Sequence, residues 1–258
     1  METKIHPTAL VDSGAEIGAG TIIGPYCIVE AGVILGPECW LQHHVTLCGP
    51  MTAGARNKFY SYCSIGQQTQ DLKYAGEPTY LEIGDENSFR EFVTINRSTT
   101  GEGKTRVGNR GNFLAYSHIG HDCVVGDAVI FSNNGTLAGH VKIGDHAVIG
   151  GLTAVHQFCR IGNFAITGGC SKIVQDVPPF MIADGNPACI RGVNLIGLER
   201  HGFAAESVKC IKEAFRIIYR SKLNTRQAME AVRKEMPTCA EVAQILEFIE
   251  QSERGIIR

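Results

Sequence analysis

The chain has 258 residues and a formal net charge of −2, which gives no electrostatic reason to expect nucleic-acid binding. It has no stretch of 18 or more apolar residues, and the opening segment METKIHPTAL lacks the basic and apolar parts of a secretory signal. We therefore expect a cytoplasmic protein with no membrane span, built as one large domain or as one domain with an appendage.

Large apolar residues recur at every sixth position from Ile5 to Ile173. Of the 29 positions in this series, only five break the pattern: Ala53, Asp71, Glu77, Gly101 and Thr167. A period of six fits neither a helix, which repeats every 3.6 residues, nor a plain strand, which repeats every two. It predicts a short strand and a tight turn in each hexad, with three hexads closing a triangular coil of 18 residues. Successive coils should stack about 4.8 Å apart.

The cysteines follow the same period. The fourth position after the large residue of a hexad is small, and it is occupied in five hexads by cysteine: Cys27, Cys39, Cys63, Cys123 and Cys159. No Cys-x-x-Cys motif is present among the ten cysteines, which argues against a zinc ribbon or a redox motif. We expect these side chains to pack as compact apolar groups.

Two segments interrupt the hexads without changing their register, residues 66–82 and residues 98–106. Loops of this length in a compact repeat protein are usually functional. The period ends near residue 190, after two proline-containing segments. The sequence therefore predicts a β-helix domain over 1–190 with both loops, and a C-terminal α-helical domain over 191–258.

About three amphipathic helices are expected in the C-terminal domain. Apolar residues repeat there at helical spacing, at Val208, Ile211, Phe215 and Ile218. Thr238 with Glu241 has the spacing of a capping box before a further apolar run. These helices should cover the open end of the repeat array.

Four histidines are brought together by the 18-residue coil. His121, His140 and His156 fall on one edge in three successive coils, and His118 lies on the adjoining corner. Neighbouring coils should separate them by about 5 Å. Building a prism does not require this column. From the residues alone two chemistries stay open: a metal site shared between subunits, and general-base catalysis by one histidine.

Longer motifs narrow the choice. Over essentially its whole length the chain resembles the bacterial acyl-[acyl-carrier-protein]–UDP-N-acetylglucosamine O-acyltransferase family. The resemblance rests on the hexad signature [LIV]-G-x-x-[STAVC]-x and on QDLKYAGEPT (70–79), HIGHDCVVG (118–126), LAGHV (137–141), VHQFCRIG (155–162), GGCSK (168–172), QDVPPFMIADGNPA (175–188) and GVNLIGLERHGF (192–203). It implies a mainly β fold, a left-handed parallel β-helix of hexapeptide repeats, with a C-terminal α-helical domain. The handedness comes from the resemblance alone.

The resemblance also implies a reaction: transfer of a (R)-3-hydroxyacyl group from acyl carrier protein to the 3-hydroxyl of UDP-N-acetylglucosamine, the first step of lipid A biosynthesis. In that family the histidine at the position of His121 is the general base. Asp122 would support its imidazolium, with an ordinary turn aspartate as the structural alternative, and the Gly139 N–H matches the oxyanion donor. No metal, cofactor or covalent acyl-enzyme is implied.

Further positions match residues of the family that bind substrate. Asp71 and Lys73 match contacts to the sugar nucleotide or the acyl donor. Gly169 matches the hydrocarbon ruler, where a missing side chain leaves room for a long acyl chain. The remaining matches are four residues that position substrate and two that hold the uridine diphosphate: His118, His140, His156, Gln157, Asn194 and Arg200. The chain departs from the family at His201, often a second arginine, and at Ile196, often an acidic residue.

Two kinds of partner are expected. Gly169 falls on a different corner from His121, so neighbouring subunits should complete each site, which favours a cyclic homotrimer, as the family also implies. Acyl carrier proteins are acidic, and one face of the helix predicted over 207–222 is basic. We predict that this face is their docking surface: Lys209, Lys212, Arg216 and Arg220.

Three other hexapeptide proteins are alternatives. The N-acyltransferase that acts later in the same pathway normally carries an extra domain before its hexads, whereas the hexads here begin at Ile5. A γ-class carbonic anhydrase would bind zinc through histidines between subunits, and the match of the helical C-terminal region disfavours it. A non-catalytic scaffold is disfavoured because His121 is present.

Overall fold

The computed structural model describes residues 2–237 and 239–258, and most of the chain forms a three-sided parallel β-helix. Each coil contributes one short strand to each of three sheets, called here faces A, B and C. Parallel pairing joins residues 18 apart, as in Lys4 with Ile22 and Ile5 with Ile23. The predicted 18-residue coil is confirmed.

The strands fall into the three faces as follows. Face A consists of β1 Lys4–Ile5, β4 Ile22–Ile23, β7 Trp40–Leu41, β10 Lys58–Phe59, β13 Ser88–Phe89, β16 Asn112–Phe113, β19 Ile130–Phe131, β22 Val148–Ile149, β25 Ile166–Thr167, β27 Met181–Gly185 and β28 Ala188–Val193. Face B consists of β2 Leu10–Val11, β5 Ile28–Val29, β8 Thr46–Leu47, β11 Ser64–Gln67, β14 Thr94–Asn96, β17 His118–Ile119, β20 Thr136–Leu137, β23 Ala154–Val155 and β26 Lys172–Ile173. Face C consists of β3 Glu16–Ile17, β6 Val33–Leu35, β9 Met51–Ala53, β12 Tyr80–Ile83, β15 Lys104–Val107, β18 Val124–Val125, β21 Lys142–Ile143 and β24 Arg160–Ile161. The turns that follow faces A, B and C form edges AB, BC and CA.

The last residue of nearly every two-residue strand points into the prism and forms the core. These are the residues of period six, and from the second coil onward they are almost fully buried, as at Ile23 and Leu41. Four phenylalanines of this series stack along face A with ring centroids 5.0 to 5.2 Å apart: Phe59, Phe89, Phe113 and Phe131. Each coil therefore buries its apolar residue against the coils on either side, which is the main stabilising contribution.

The cysteines at the small position of the hexads pack as expected. The five predicted packing cysteines are at most 1% exposed. Burial raises the pKa of Cys63 and of Cys123 to about 12, so both remain protonated thiols at neutral pH. Within the described residues all ten cysteines are free.

The two predicted interruptions are loops that leave edge BC. The first lies between β11, which ends at Gln67, and β12, which begins at Tyr80. The second lies between β14, which ends at Asn96, and β15, which begins at Lys104. The strands on either side stay paired in parallel across both loops, with one register shift between Ile65 and Gln67, where the first loop begins. The prism is therefore continuous beneath them.

Four helices follow in the described part of the chain: α1 Leu195–Arg200, α2 Ala205–Arg220, α3 Thr225–Glu235 and α4 Ala240–Glu250. The short α1 adds to the three expected. α3 begins with a capping box between Asn224 and Gln227. The predicted capping residue Thr238 lies outside the described residues, and α4 has Cys239 as its N-cap, without a side-chain capping bond. None of these helices combines the length and apolar character needed to cross a bilayer.

The C-terminal part of the chain covers the last coil. The antiparallel pair β27–β28 closes face A, and α2 packs on β28. On edge BC, the Asp176 N–H donates to the Gly255 carbonyl at 3.0 Å, and the Ile257 N–H donates to the Asp176 carbonyl at 2.9 Å. Because β28 spans residue 190, the division into domains at 190 and 191 stays a prediction.

Candidate active site

The candidate site lies on edge BC, where stacked turns align equivalent residues. His121, Gly139 and Gln157 occupy one turn position in successive coils, and Asp122 and His140 occupy the next. Asp122 and His140 have φ of 60° and 61°, in the left-handed region where aspartate and histidine are more frequent than most side chains. The repeat therefore stacks residues of different chemistry one above another on edge BC, with one residue from each coil at each turn position.

His121 is oriented by two hydrogen-bond partners on one ring nitrogen. Its Nδ1 lies 2.8 Å from the Asp122 Oδ2 and 2.9 Å from the Thr99 hydroxyl. An ionised carboxylate only accepts hydrogen bonds, so Nδ1 carries the proton in the neutral ring. Nε2 is then left as the proton acceptor of a largely buried imidazole.

Asp122 is the best-connected acid on this edge. Its carboxylate accepts hydrogen bonds from the Ser98 hydroxyl and the Thr99 N–H, and His140 Nε2 lies 3.6 Å away. Burial alone raises the pKa of this carboxyl, but the hydrogen bonds from Ser98 and His121 and the charge of His140 outweigh burial and lower the pKa below its ordinary value. Asp122 is therefore ionised at neutral pH.

The other turn aspartates of the prism behave differently. On edge CA, the carboxylates of Asp85, Asp127 and Asp145 each accept the backbone N–H of a residue in the preceding coil, at 2.7 to 2.8 Å. They form a ladder that ties one coil to the next. Asp122 instead points at His121 and the second loop, so its contacts differ from those of an ordinary turn aspartate.

Gly139 and His140 enclose His121 from the following coil. A Cβ built on Gly139 would collide with the His121 ring, so only glycine leaves room for the imidazole there. The His140 ring meets the His121 ring edge-on, with centroids 5.2 Å apart, and stacks on Phe158 with centroids 4.6 Å apart. The His140 ring therefore lies between Phe158 and the His121 imidazole and limits how the imidazole can move.

His118 lies on face B next to this column. Its Nδ1 is 2.8 Å from the Thr94 hydroxyl. Burial and the nearby His121 lower the pKa of His118 below 6.5, so the ring is neutral at pH 7. A neutral ring beside the imidazole adds no positive charge to the site.

The first loop reaches the same centre. The hydroxyls of Thr69 and Thr99 are 2.7 Å apart, and the Asp71 N–H donates to the Thr69 hydroxyl at 3.1 Å. The Asp71 carboxylate also accepts the Lys73 N–H at 2.9 Å, which shapes the turn, and the Lys73 side chain is exposed. Asp71 is therefore linked through Thr69 and Thr99 to the column that holds His121, whereas Lys73 is linked only to Asp71.

Not every predicted residue converges on His121 within one chain. His156 and Gln157 are exposed two coils further along edge BC. Gly169 lies on edge AB. Asn194 donates to the Phe164 carbonyl at 2.8 Å and caps α1 with its Oδ1, so it lies beside edge CA, and Arg200 is exposed at the end of α1. These last three residues and His121 are on different edges of the prism.

Sequence reasoning missed three residues of the site. Ser98 and Thr99 were included only as the start of the second loop, and Phe158 was not singled out. Thr99 contacts a residue 22 positions later rather than 18, because the loop adds residues between the two coils. Thr99 lies inside that loop, so the 18-residue count does not place it beneath His121.

One group of side chains could also bind a metal. Among residues 2–237 and 239–258, His121, Asp122 and His140 form the one group that offers three ligand atoms within 4.8 Å of one another. Here the His121 Nδ1 faces the carboxylate at hydrogen-bond distance. That is the geometry of an imidazole oriented by an acid.

A prism of hexads that holds an acid-oriented imidazole on one edge is the arrangement expected of a hexapeptide-repeat acyltransferase. A family model described as UDP N-acetylglucosamine O-acyltransferase, domain 2, matches residues 176–257. The chain is 48% identical over 255 residues to the acyl-[acyl-carrier-protein]–UDP-N-acetylglucosamine O-acyltransferase of Thiobacillus denitrificans. The alignment covers 98% of this chain and 99% of the relative. This chain therefore belongs to the acyl-[acyl-carrier-protein]–UDP-N-acetylglucosamine O-acyltransferase family.

Solved structures agree with this assignment. LpxA from Acinetobacter baumannii matches with a TM-score of 0.95 and 41% identity, over 98% of this chain and 99% of that one. LpxA, a UDP-N-acetylglucosamine acyltransferase from Bacteroides fragilis, matches with a TM-score of 0.95 and 37% identity, over 98% and 100%. The predicted left-handed parallel β-helix with a C-terminal helical part is confirmed, and the chain is an O-acyltransferase.

Proposed function

We propose that the chain transfers a (R)-3-hydroxyacyl group from acyl carrier protein to the 3-hydroxyl of UDP-N-acetylglucosamine, the first step of lipid A biosynthesis, in the cytoplasm. The names of the relatives support acyl carrier protein as the donor and UDP-N-acetylglucosamine as the acceptor. His121 is the general base of the proposal. The observation that carries it is the 2.8 Å contact of Nδ1 with Asp122, which leaves Nε2 to accept a proton.

The proposed chemistry has two steps. Nε2 of His121 takes the proton of the sugar hydroxyl while the oxygen attacks the thioester carbonyl, and Asp122 stabilises the imidazolium that forms. The Gly139 N–H, which has no hydrogen-bond partner among the described residues, donates to the resulting oxyanion. When the carbon–sulfur bond breaks, the imidazolium returns its proton to the leaving thiolate. No acyl-enzyme or cofactor is needed.

The surrounding residues have proposed roles in binding. Asp71 and Lys73 contact the sugar nucleotide or the donor, and Asn194 and Arg200 hold the uridine diphosphate, where arginine can make bidentate phosphate contacts. The residues proposed to position the reacting groups are His118, His140, His156 and Gln157. The burial of Asn194 as a helix cap makes its part of the nucleotide contact dependent on the start of α1.

Gly169 is proposed as the hydrocarbon ruler. A Cβ at this position would meet only the Gly151 carbonyl oxygen, at 3.4 Å, and the backbone does not adopt a conformation that requires glycine. The missing side chain therefore leaves open space on edge AB instead of relieving strain. A bulky residue would fold there and would shorten the acyl chain that fits.

The sites are proposed to be shared within a homotrimer. Five exposed or half-exposed rings stack along edge AB with centroids 4.8 to 5.1 Å apart: Tyr26, His44, Tyr62, Phe92 and Tyr116. The neighbouring faces A and B also expose large apolar side chains, such as Ile22 and Leu10. A continuous aromatic edge beside exposed apolar residues favours burial against second and third copies.

The first test is a transfer assay with UDP-N-acetylglucosamine and a series of 3-hydroxyacyl carrier proteins. We expect His121→Ala to lower kcat by about 10²- to 10⁴-fold, the range of general-base catalysis. His6→Ala, an exposed histidine near the start of the chain, is the matched control. Full activity of His121→Ala would refute the assigned base, and the preferred donor reports the acyl chain length.

Two measurements separate the remaining alternatives. Inactivity of the parent chain with every donor would direct the assay to UDP-sugars that carry a 3-amino group. Stoichiometric zinc lost on His121→Ala or His140→Ala substitution, together with hydration of carbon dioxide, would favour the carbonic anhydrase alternative.

A further inference from the structure

A pocket lies beside the candidate site, one coil before His121 on edge BC. It has a volume of about 500 Å³ and is lined by residues of the first loop and of β14, among them Gln67, Gln68, Thr69, Asp71, Tyr74 and Asn96. The described residues that line it include one carboxylate and no lysine or arginine. This lining suits a neutral polar group and gives no counter-charge for a phosphate.

The pocket is connected to the reacting imidazole by two hydroxyl groups. Thr69 lines the pocket and lies 2.7 Å from the Thr99 hydroxyl, which lies 2.9 Å from Nδ1 of His121. β14 also pairs directly with β17, and Ile95 aligns with Ile119, so Asn96 sits under the turn that leads to His121. The pocket therefore adjoins the residues that orient His121, one coil below its turn.

Asn96 has a polar atom that nothing in the described chain satisfies. The residue is 4% exposed, and its Nδ2 donates to the Gln68 carbonyl at 2.8 Å. Since a carbonyl can only accept, this bond fixes which end of the amide is nitrogen. The other end, Oδ1, is buried without a hydrogen-bond partner in the described residues.

An orphaned buried acceptor is costly, so it needs a partner in the working protein. The buried asparagines Asn57 and Asn87 on edge CA are satisfied: Asn87, for example, donates to Asn57 and to the Gly108 carbonyl, and its Oδ1 accepts the Gly111 N–H. Asn96 differs from this structural asparagine because it faces a pocket.

We propose that Asn96 is a substrate-binding residue whose Oδ1 accepts a hydrogen bond from an amide N–H or a hydroxyl of the substrate bound in this pocket. The inference rests on the proposed function, which supplies two sources of such a donor. One is the acetamido group or a hydroxyl of the acceptor sugar. The other is an amide of the carrier arm that bears the acyl thioester.

The test measures KM for both substrates and the melting temperature without substrate, for the parent chain and for Asn96→Leu. Leucine has a similar size and lacks the acceptor. We expect one of the two KM values to rise about tenfold, the loss of roughly one hydrogen bond, while the melting temperature falls less than for a buried asparagine with all its bonds internal, because leucine removes one internal bond and one orphaned acceptor. Asn96→Ala, which also lacks the acceptor, serves the same purpose if the leucine variant does not fold.

Asn87→Leu is the matched control, because it removes a buried asparagine whose bonds are all internal. It should lower the melting temperature and leave both KM values unchanged. A rise in the KM for UDP-N-acetylglucosamine on Asn96→Leu would assign the sugar as the ligand, and a rise in the KM for the acyl carrier protein would assign the carrier arm.

Two results would overturn the inference. If the parent is active and Asn96→Leu lowers only the melting temperature, Asn96 is structural and the proposed function stands. If the parent neither turns over nor is stabilised thermally by UDP-N-acetylglucosamine or the acyl carrier substrate, the proposed function fails and the inference fails with it.

Discussion

Single residues in this protein act through the neighbours that the coil places above and below them. His121 is an ordinary imidazole until Asp122 fixes its Nδ1 proton and Gly139 leaves space for its ring. In the proposed reaction, this support decides which ring nitrogen of His121 meets the substrate and in what direction. The consequences of changing each supporting residue can be stated separately.

Replacing Asp122 by asparagine should lower kcat by about 10²- to 10⁴-fold with a smaller effect on KM. The amide can donate as well as accept, so it no longer fixes the Nδ1 proton or supports the imidazolium. Asp127→Asn, in a corresponding turn of edge CA, is the control, because the amide oxygen can still accept the Asn109 N–H. Equal kcat values for the parent and Asp122→Asn would contradict the assigned role.

Replacing Gly139 by alanine should displace the His121 ring, because the added Cβ collides with it. We expect kcat to fall at least tenfold, with a loss of stability of about 1 to 3 kcal/mol, as for overpacking. Gly192→Ala, where a Cβ meets no atom within 4 Å, should change neither quantity. Steady-state kinetics and thermal unfolding check both expectations. An active Gly139→Ala would mean that the ring can move without cost.

Burial of His118 makes the stability of the fold depend on pH. Its pKa is lower in the folded protein than the ordinary 6.5, because burial and His121 disfavour the charged ring. As the pH falls through 6.5, this histidine therefore binds a proton in the unfolded chain before it does so in the folded protein. The free energy of unfolding decreases over this pH range, until the folded ring also becomes protonated. We expect His118→Gln to weaken this dependence between pH 7.5 and 5.5 in denaturant unfolding. Parallel curves for the two proteins would contradict it.

At the scale of elements, the hexad period predicted the prism well because the fold is quasi-one-dimensional. Each inward residue meets the same residue one coil away, so periodicity in the sequence becomes contact in space, as for Phe89 and Phe113. The His121, Gly139 and His140 column was predictable for the same reason. Contacts that depend on loop conformation, such as Thr99 with His121 and Thr69 with Thr99, do not follow from a period.

The helical region was less predictable for a related reason. Its packing depends on interactions that the hexads do not determine, and the short α1 carries no amphipathic repeat of its own. Asn194 was singled out only by resemblance, and the structure adds its bonds to Gly197 and the Phe164 carbonyl. Capping could not be inferred without knowing where α1 begins.

The α2 helix carries the proposed docking surface for acyl carrier protein. Lys209 and Lys212 are exposed on the face that also carries Arg216 and Arg220, whereas Arg216 already pairs with Glu213. Lys209→Glu with Lys212→Glu should raise the KM for the acyl carrier substrate severalfold and leave that for UDP-N-acetylglucosamine unchanged. Arg226→Glu with Lys234→Glu on α3 is the control pair. An unchanged KM for the carrier would remove α2 from the docking surface.

At the scale of the whole molecule, residues assigned to one reaction lie on all three edges. His121 is on edge BC, Gly169 is on edge AB, and Asn194 lies beside edge CA. One prism cannot bring its own edges together, since its interior is filled by the core. A site that uses all three edges requires contact between copies.

Mixed assemblies test this requirement directly. Chains with His121→Ala and chains with Arg200→Ala should each have low activity, and co-expressed mixtures should regain part of the parent activity if one subunit supplies the base and another the phosphate contact.

Replacing two of the stacked rings on edge AB tests the assembly itself. The double variant Tyr62→Glu with Phe92→Glu should lower the molecular mass measured by light scattering, and Thr52→Glu on face C should leave the mass unchanged. A monomeric, fully active parent would refute the shared site.

The cover on the last coil has a consequence for how the protein behaves at high concentration. A parallel array ends in unpaired N–H and C=O groups, which could template another array and extend into a filament. Here the carbonyl and N–H of Asp176 are already bonded to Ile257 and Gly255, and β28 closes face A. At that end the backbone of the chain itself pairs with the last coil, so a second array cannot pair there and extend the protein into a filament.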